Sequence, residues 1–356
     1  MENRIKRIVN NAINKFELDL SGLIIFTEAA TGNYLYTPII AALGGAEKVY
    51  AITKDSKYGK KETVKEKTLE TAKLFGIEDK INVVYDKNLE YIKECDIITN
   101  SGFVRPIDKK MIDSMKTTAV IPLMFETWEF RENDLDLEYC REKEIPVLGT
   151  NENHDKLKLF YSNGFLVSKL LFECGFEVYK NKFLIIGSGK IGQSIQDFFD
   201  NNMIEYSRIT CSPDEHAPQS NVFYYKDFDF GKVEKDIDAV ILFEHLHNVP
   251  ILSSKGMINK NNIDNFADIP FIHICGRVDS DFIEDSGINI YPEDFADFGY
   301  MTRSGDYLGP AITIELITAG LKVGEIMSKL RKEGKSYREV IEVAIKNPLV
   351  TSFSEV

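Results

Sequence analysis

The chain has 356 residues, 44% of them hydrophobic and 28% charged, and a formal net charge of −13. That balance fits a soluble protein of two domains and argues against nucleic acid or an anionic membrane surface as partner, because both need a basic face. No apolar run approaches the ~20 residues of a membrane span. The charged start of the chain and five scattered cysteines without a C-x-x-C pair predict a cytoplasmic protein with reduced thiols and no metal site.

The opening residues predict an amphipathic helix. Five short apolar runs follow, at Leu23–Phe26, Val49–Ile52, Ile81–Val84, Ile97–Ile98 and Ala119–Leu123. Helical spacing separates them, at about Tyr34–Leu43, Lys61–Phe75, Leu89–Lys93 and Lys109–Met115, and a further helix from about Asp134 leads to a sixth strand, Ile145–Leu148. Strands alternating with helices imply a parallel, doubly wound sheet, so residues 1–150 are expected to form an α/β domain that binds the substrate. Ligands of such sheets bind beyond the carboxyl ends of the strands. Those ends carry Thr27-Glu28, Asn100 with Arg105 close behind, and Glu126. Glu28, Asn100, Arg105 and Glu126 are therefore the candidate substrate-binding residues, each with a local alternative as a cap or an ion-pair member.

Apolar spacing then predicts a connecting helix over Lys156–Phe172, with Gly164 marking a close packing contact. It leads into Asn181–Asp200, N-K-F-L-I-I-G-S-G-K-I-G-Q-S-I-Q-D-F-F-D. Here a buried-strand run ends at Gly187-Ser188-Gly189, and Lys190-Ile191-Gly192 opens a helix. This is G-x-G-x-x-G between strand and helix, the setting in which backbone amides at a helix start hold a dinucleotide's diphosphate. Residues 151–310 are accordingly expected to form a Rossmann domain that binds NAD or NADP through Gly187, Ser188, Gly189, Lys190, Ile191 and Gly192.

The pattern continues with strands ending at Thr210, Phe243, Ile274 and Tyr291. After the first of these, the domain's second strand, the fingerprint expects an acidic residue for the ribose, but the chain has Cys211-Ser212-Pro213. Ser212 is the candidate contact there, with Asp214 as the alternative. Cys275 and Gly276 are expected beside the cofactor. Arg277 suits a carboxylate clamp, and His245 or Lys156 could carry the proton that accompanies hydride transfer. His273, alternating with Ile272 and Ile274, reads as a satisfied strand residue. Residues 311–356 should supply a buried closing helix over Ala311–Arg331, a short helix over Ser336–Lys346 and a frayed tail.

In this order of parts the chain resembles the D-2-hydroxyacid dehydrogenase and S-adenosylhomocysteine hydrolase superfamily over residues 95–333. Arg277-Val278-Asp279 is similar in place to the dehydrogenases' catalytic arginine and the V-D that follows it. Where they carry a histidine before the closing helix, this chain has Arg303, Asp306 and Tyr307. Lys156-Leu157-Lys158-Leu159-Phe160 partly echoes the hydrolases' K-x-K-F. The resemblance implies two Rossmann-like domains with a cleft between them, NAD or NADP as cofactor and a small polar, anionic substrate. Two alternatives stand beside an oxidoreductase: a hydrolase or lyase that retains its NAD, and a non-catalytic nucleotide-binding regulator. The sequence leaves the oligomeric state open, with a homodimer among the options.

Overall fold

A computed structural model of the chain describes residues 2–213, 221–233 and 236–353. It divides into two compact units, one running up to Lys158 and resuming at Gly309, the other spanning Leu159–Leu308.

The first unit opens with helix α1 (Glu2–Phe16), followed by β1 (Ile24–Glu28), α2 (Thr37–Leu43), β2 (Lys48–Ile52), α3 (Lys61–Phe75) and β3 (Ile81–Val84). It continues through α4 (Leu89–Ile92), β4 (Ile97–Ile98), α5 (Lys109–Ser114), β5 (Ile121–Pro122), α6 (Leu137–Glu142) and β6 (Val147–Thr150). Strands β3-β2-β1-β4 pair side by side in parallel, a bridge from Ile97 to Val120 carries the sheet across to β5, and β6 lies beyond β5. Within the unit, the order is thus 3-2-1-4-5-6, the doubly wound arrangement of dinucleotide folds. The strands are short and buried on both faces, as crossover helices require.

The second unit begins with α7 (Ser162–Glu173), then β7 (Lys182–Ile186), α8 (Gly189–Asn201), β8 (Glu205–Thr210), β9 (Val222–Tyr224) and β10 (Ala239–Phe243). After these come β11 (Pro250–Leu252), β12 (Phe271–Cys275), β13 (Arg277–Val278), α9 (Ser280–Ser286) and β14 (Ile290–Tyr291). Its main sheet runs β14-β12-β10-β7-β8-β9, all parallel. Counted within the unit this is again 3-2-1-4-5-6, so the fold is α/β with two Rossmann-like domains. Strands β11 and β13 form a separate two-stranded ladder.

The chain then returns to the first unit as α10 (Pro310–Lys332), α11 (Tyr337–Ala344) and β15 (Val350–Thr351). Helix α10 lies directly on the first sheet: a Cβ on Gly320 would stand 2.7 Å from the Met124 sulfur, and one on Gly324 would stand 3.0 Å from both Ile97 and Pro122. Ser336 starts α11 with a full capping box to Glu339.

Two sequence expectations need correction. The connecting helix begins at Ser162, not Lys156: the amides of Leu157 and Lys158 both turn back onto the His154 carbonyl, and Lys158 takes φ +48°, which breaks the helical path. The tail is not frayed at 350–351, where β15 pairs antiparallel with β6 through Val350–Thr150 and Thr351–Gly149, and the last residues, 354–356, lie outside the described residues. Gly164 does sit at a close contact, since any Cβ there would run into the Phe198 ring. Among the described residues no helix is long and apolar enough to cross a membrane.

Candidate functional site

In each sheet the strand order reverses between the first and fourth strands, and ligands of doubly wound folds bind outside the carboxyl ends at that point. In the second unit this is the gap between β7 and β10. Strand β7 turns there into α8 through Gly187, Ser188 and Gly189. A Cβ on Gly187 would lie 2.7 Å from the Phe243 carbonyl oxygen, and one on Gly192 would lie 2.6 Å from the Gly187 carbonyl oxygen. The first and third glycines therefore let the neighbouring strand and the helix close in on the turn. Gly189 has φ +68°, a conformation that suits glycine. The space its Cβ would take is filled by the Leu246 side chain, with the His245 ring beside it.

Ser188 stands at the N-cap of α8 yet makes no capping bond. Its hydroxyl accepts from the Cys211 amide at 2.7 Å and donates to the carboxylate of Glu244. The amides of Lys190 and Ile191 consequently have no hydrogen-bond partner among the described residues, whereas that of Gly192 reaches the Ser188 carbonyl at 3.2 Å. Orphan amides of this kind, at the positive end of a helix, are where an anion binds.

Glu244, fully buried, also accepts from the amides of Leu246 at 2.9 Å and His247 at 3.0 Å, and its own amide reaches the Cys275 carbonyl at 3.1 Å. It thereby ties β7, β8, β10 and β12 together at their carboxyl ends. Cys275 is buried, and that burial, with Glu244 nearby, raises its thiol pKa well above the ordinary value. Ser212 hydrogen-bonds the His247 ring at 2.8 Å. The structure thus brings Gly187 through Gly192, Cys211–Ser212, His245, His247, Cys275 and Gly276 to one crest. Asp214 lies outside the described residues. Arg277 is exposed on β13, with Asn248 at 3.4 Å. Asp279 caps α9 by accepting from the amides of Asp281 and Phe282. His273 is buried between Thr302 (2.7 Å) and the Gly276 carbonyl (3.2 Å), and burial keeps it from protonating at its ordinary pKa.

In the first unit the reversal lies between β1 and β4. Thr27 and Thr99 share a hydrogen bond of 2.8 Å across it, and Thr99 bonds Ser101 at 2.7 Å. Glu28 is buried and accepts from the Phe103 amide at 3.0 Å. Burial raises its pKa, while that amide, Arg105 and Gly102 pull the other way. Arg105 itself is paired with Asp134 at 2.6 Å. The Asn100 side-chain oxygen accepts from the Met124 amide at 3.0 Å, leaving its buried NH2 group without a partner among the described residues. Glu126 accepts from the Trp128 indole at 2.6 Å and from the Glu152 amide at 3.2 Å. Lys156 makes an exposed pair with Glu17 at 3.5 Å.

Sequence reasoning missed three features. Glu244 was visible as a carboxylate directly after the wholly apolar Ala239–Phe243 run. Arg208, an arginine inside a strand, is buried and donates to the Gly187 carbonyl at 3.0 Å and to Gln196 at 3.0 Å, bracing the turn from below. Glu129 and Glu152 gather beside Glu126. Burial, with the Glu126 charge adding repulsion, pushes the Glu129 carboxyl up to about 7, while Arg131 and a hydrogen bond with Glu152 pull the other way. Among the described residues no three His, Cys, Asp or Glu side chains are arranged to hold a metal ion.

No family model and no curated protein matches the sequence. Solved structures do match the fold. A dipicolinate synthase chain from Bacillus subtilis superposes with a TM-score of 0.53 at 13% identity, covering 89% of this chain and 98% of that one. The corresponding dipicolinate synthase chain from Bacillus halodurans gives a TM-score of 0.52 at 11% identity, covering 88% and 98%. An NAD-dependent formate dehydrogenase from Staphylococcus aureus, solved with NAD, gives 0.45 at 11% identity over 84% and 92%. This chain therefore shares its fold with the dipicolinate synthase chains at low sequence identity.

Proposed function

We propose that this chain is an NAD(P)-dependent oxidoreductase acting on a small polar, anionic metabolite. The observation that carries the reading is the start of α8. Its N-cap serine is diverted to Glu244, two of its amides are left without a partner, and all three glycines of the turn have a geometric reason to be glycine. An isolated strand-to-helix turn would be expected to cap itself with that serine. Gly187 through Gly192 would hold the diphosphate, with Ser212 and its partner His247 towards the ribose and Cys275 and Gly276 towards the nicotinamide. Bound there, the nicotinamide would supply or accept the hydride. His245 is then the group on this crest suited to exchange the accompanying proton, and Arg277, exposed on β13 directly after Gly276, is suited to orient a carbonyl or carboxylate. Lys156, engaged with Glu17, is the weaker candidate for the proton.

On the first unit the buried, unpartnered NH2 of Asn100 offers a donor to an anionic substrate, beside Glu28, Arg105 and Glu126. The test is to mix the protein with NADH and with NADPH separately and follow nucleotide fluorescence and melting temperature. A response to at least one is expected, and silence with both would end the reading.

A further inference from the structure

The second glycine of a dinucleotide turn is glycine so that the diphosphate can approach its backbone. In this chain that face of Gly189 is occupied by the side chain of Leu246. Leu246 is 47% exposed and stands on the loop between β10 and β11, outside regular structure. Two bonds hold the start of this loop: the amides of Leu246 and His247 both donate to one oxygen of Glu244, whose other oxygen takes the Ser188 hydroxyl of the turn itself. The clasp is buried, while the side chain it positions is half in solvent. The leucine can therefore swing out by rotating about its own side-chain bonds, with the Glu244 clasp intact.

We propose that Leu246 is a gate on the diphosphate site, held against Gly189 by Glu244 as positioning residue, and that a dinucleotide binds only as Leu246 leaves that face. The inference rests on the reading of the turn as a dinucleotide site. It adds that the empty protein pays for opening, so that the observed affinity is the intrinsic one reduced by the fraction of molecules already open.

The experiment uses the full chain, wild type and Leu246→Ala, with Leu246→Ser as a second variant, each checked for an unchanged melting temperature without ligand. ADP-ribose, which carries the diphosphate, and AMP, which lacks it, are titrated calorimetrically. Losing the half-buried leucine contact should tighten ADP-ribose binding by about fivefold in Leu246→Ala, leaving AMP unchanged. ADP-ribose affinity that is unchanged or weaker in both folded variants would overturn the gate while leaving the dinucleotide site standing. If neither the wild type nor the variants bind ADP-ribose or NADH, the dinucleotide reading falls, and the gate with it.

Discussion

Glu129 should make the first unit less stable as the medium turns from acid to neutral. It lies in the turn Thr127–Glu129, and burial is the main reason its carboxyl holds a proton up to about 7 instead of the ordinary 4.5. Glu126 adds repulsion, whereas the Glu126 backbone, Arg131 and a hydrogen bond with Glu152 pull the other way; Glu152 is itself raised by burial and by the charges of Glu129 and Glu126. The folded chain keeps this proton where the unfolded chain has released it. Stability therefore falls as pH rises through that window and is greatest below it. From 4.5 to about 7, at roughly 1.4 kcal/mol per pH unit, the loss is about 3 kcal/mol. Replacing the carboxyl with a neutral isostere, Glu129→Gln, should abolish most of the loss, so the variant gains on the wild type at about pH 8 and not at about pH 4. Trp128, the chain's one tryptophan, donates to Glu126 in the same cluster. Its fluorescence during urea unfolding, repeated across that range, gives the assay. Parallel pH slopes for wild type and Glu129→Gln would refute the reasoning.

Three further outcomes are expected. Gly192→Ala drives a methyl group into the Gly187 backbone at 2.6 Å; it should cost about 1–3 kcal/mol in melting experiments and abolish any response to NADH. Ser336→Ala removes the capping box of α11 and should cost about 1 kcal/mol in chemical unfolding, with Ser336→Asp largely restoring it. Asp96, buried, accepts from the Ile24 amide at 2.9 Å and pairs with Lys116 at 2.9 Å. Asp96→Ala should destabilise the chain by about 1–3 kcal/mol by leaving that amide unanswered, measured by the shift of the urea midpoint.

Much of the architecture was legible because buried parallel strands read as short apolar runs. Ile81–Val84, Ile97–Ile98 and Ala239–Phe243 stand in the structure where the pattern places them. Strand order was not legible, since it is fixed by which runs pair, and local patterning is silent on that. Consequently Thr27 and Thr99, distant in sequence, could not be seen as neighbours. The helix expected from Lys156 failed because the apolar spacing of Leu159 and Phe160 comes from residues packing in turns, with Lys158 left-handed. The order at 350–351 was missed because β15 gains it from pairing with β6, two hundred residues away along the chain. At the site the glycine spacing was readable. The roles of Ser188 and Glu244 emerged only from the hydrogen bond that joins the ends of β7 and β10.

The most direct test of the central claim is a crystal structure of the chain soaked with NADH or NADPH. The diphosphate is expected against the amides of Lys190 and Ile191, with the Leu246 side chain turned away from Gly189. A dinucleotide seated elsewhere, or a turn still covered by Leu246 in crystals saturated with both cofactors, would contradict it.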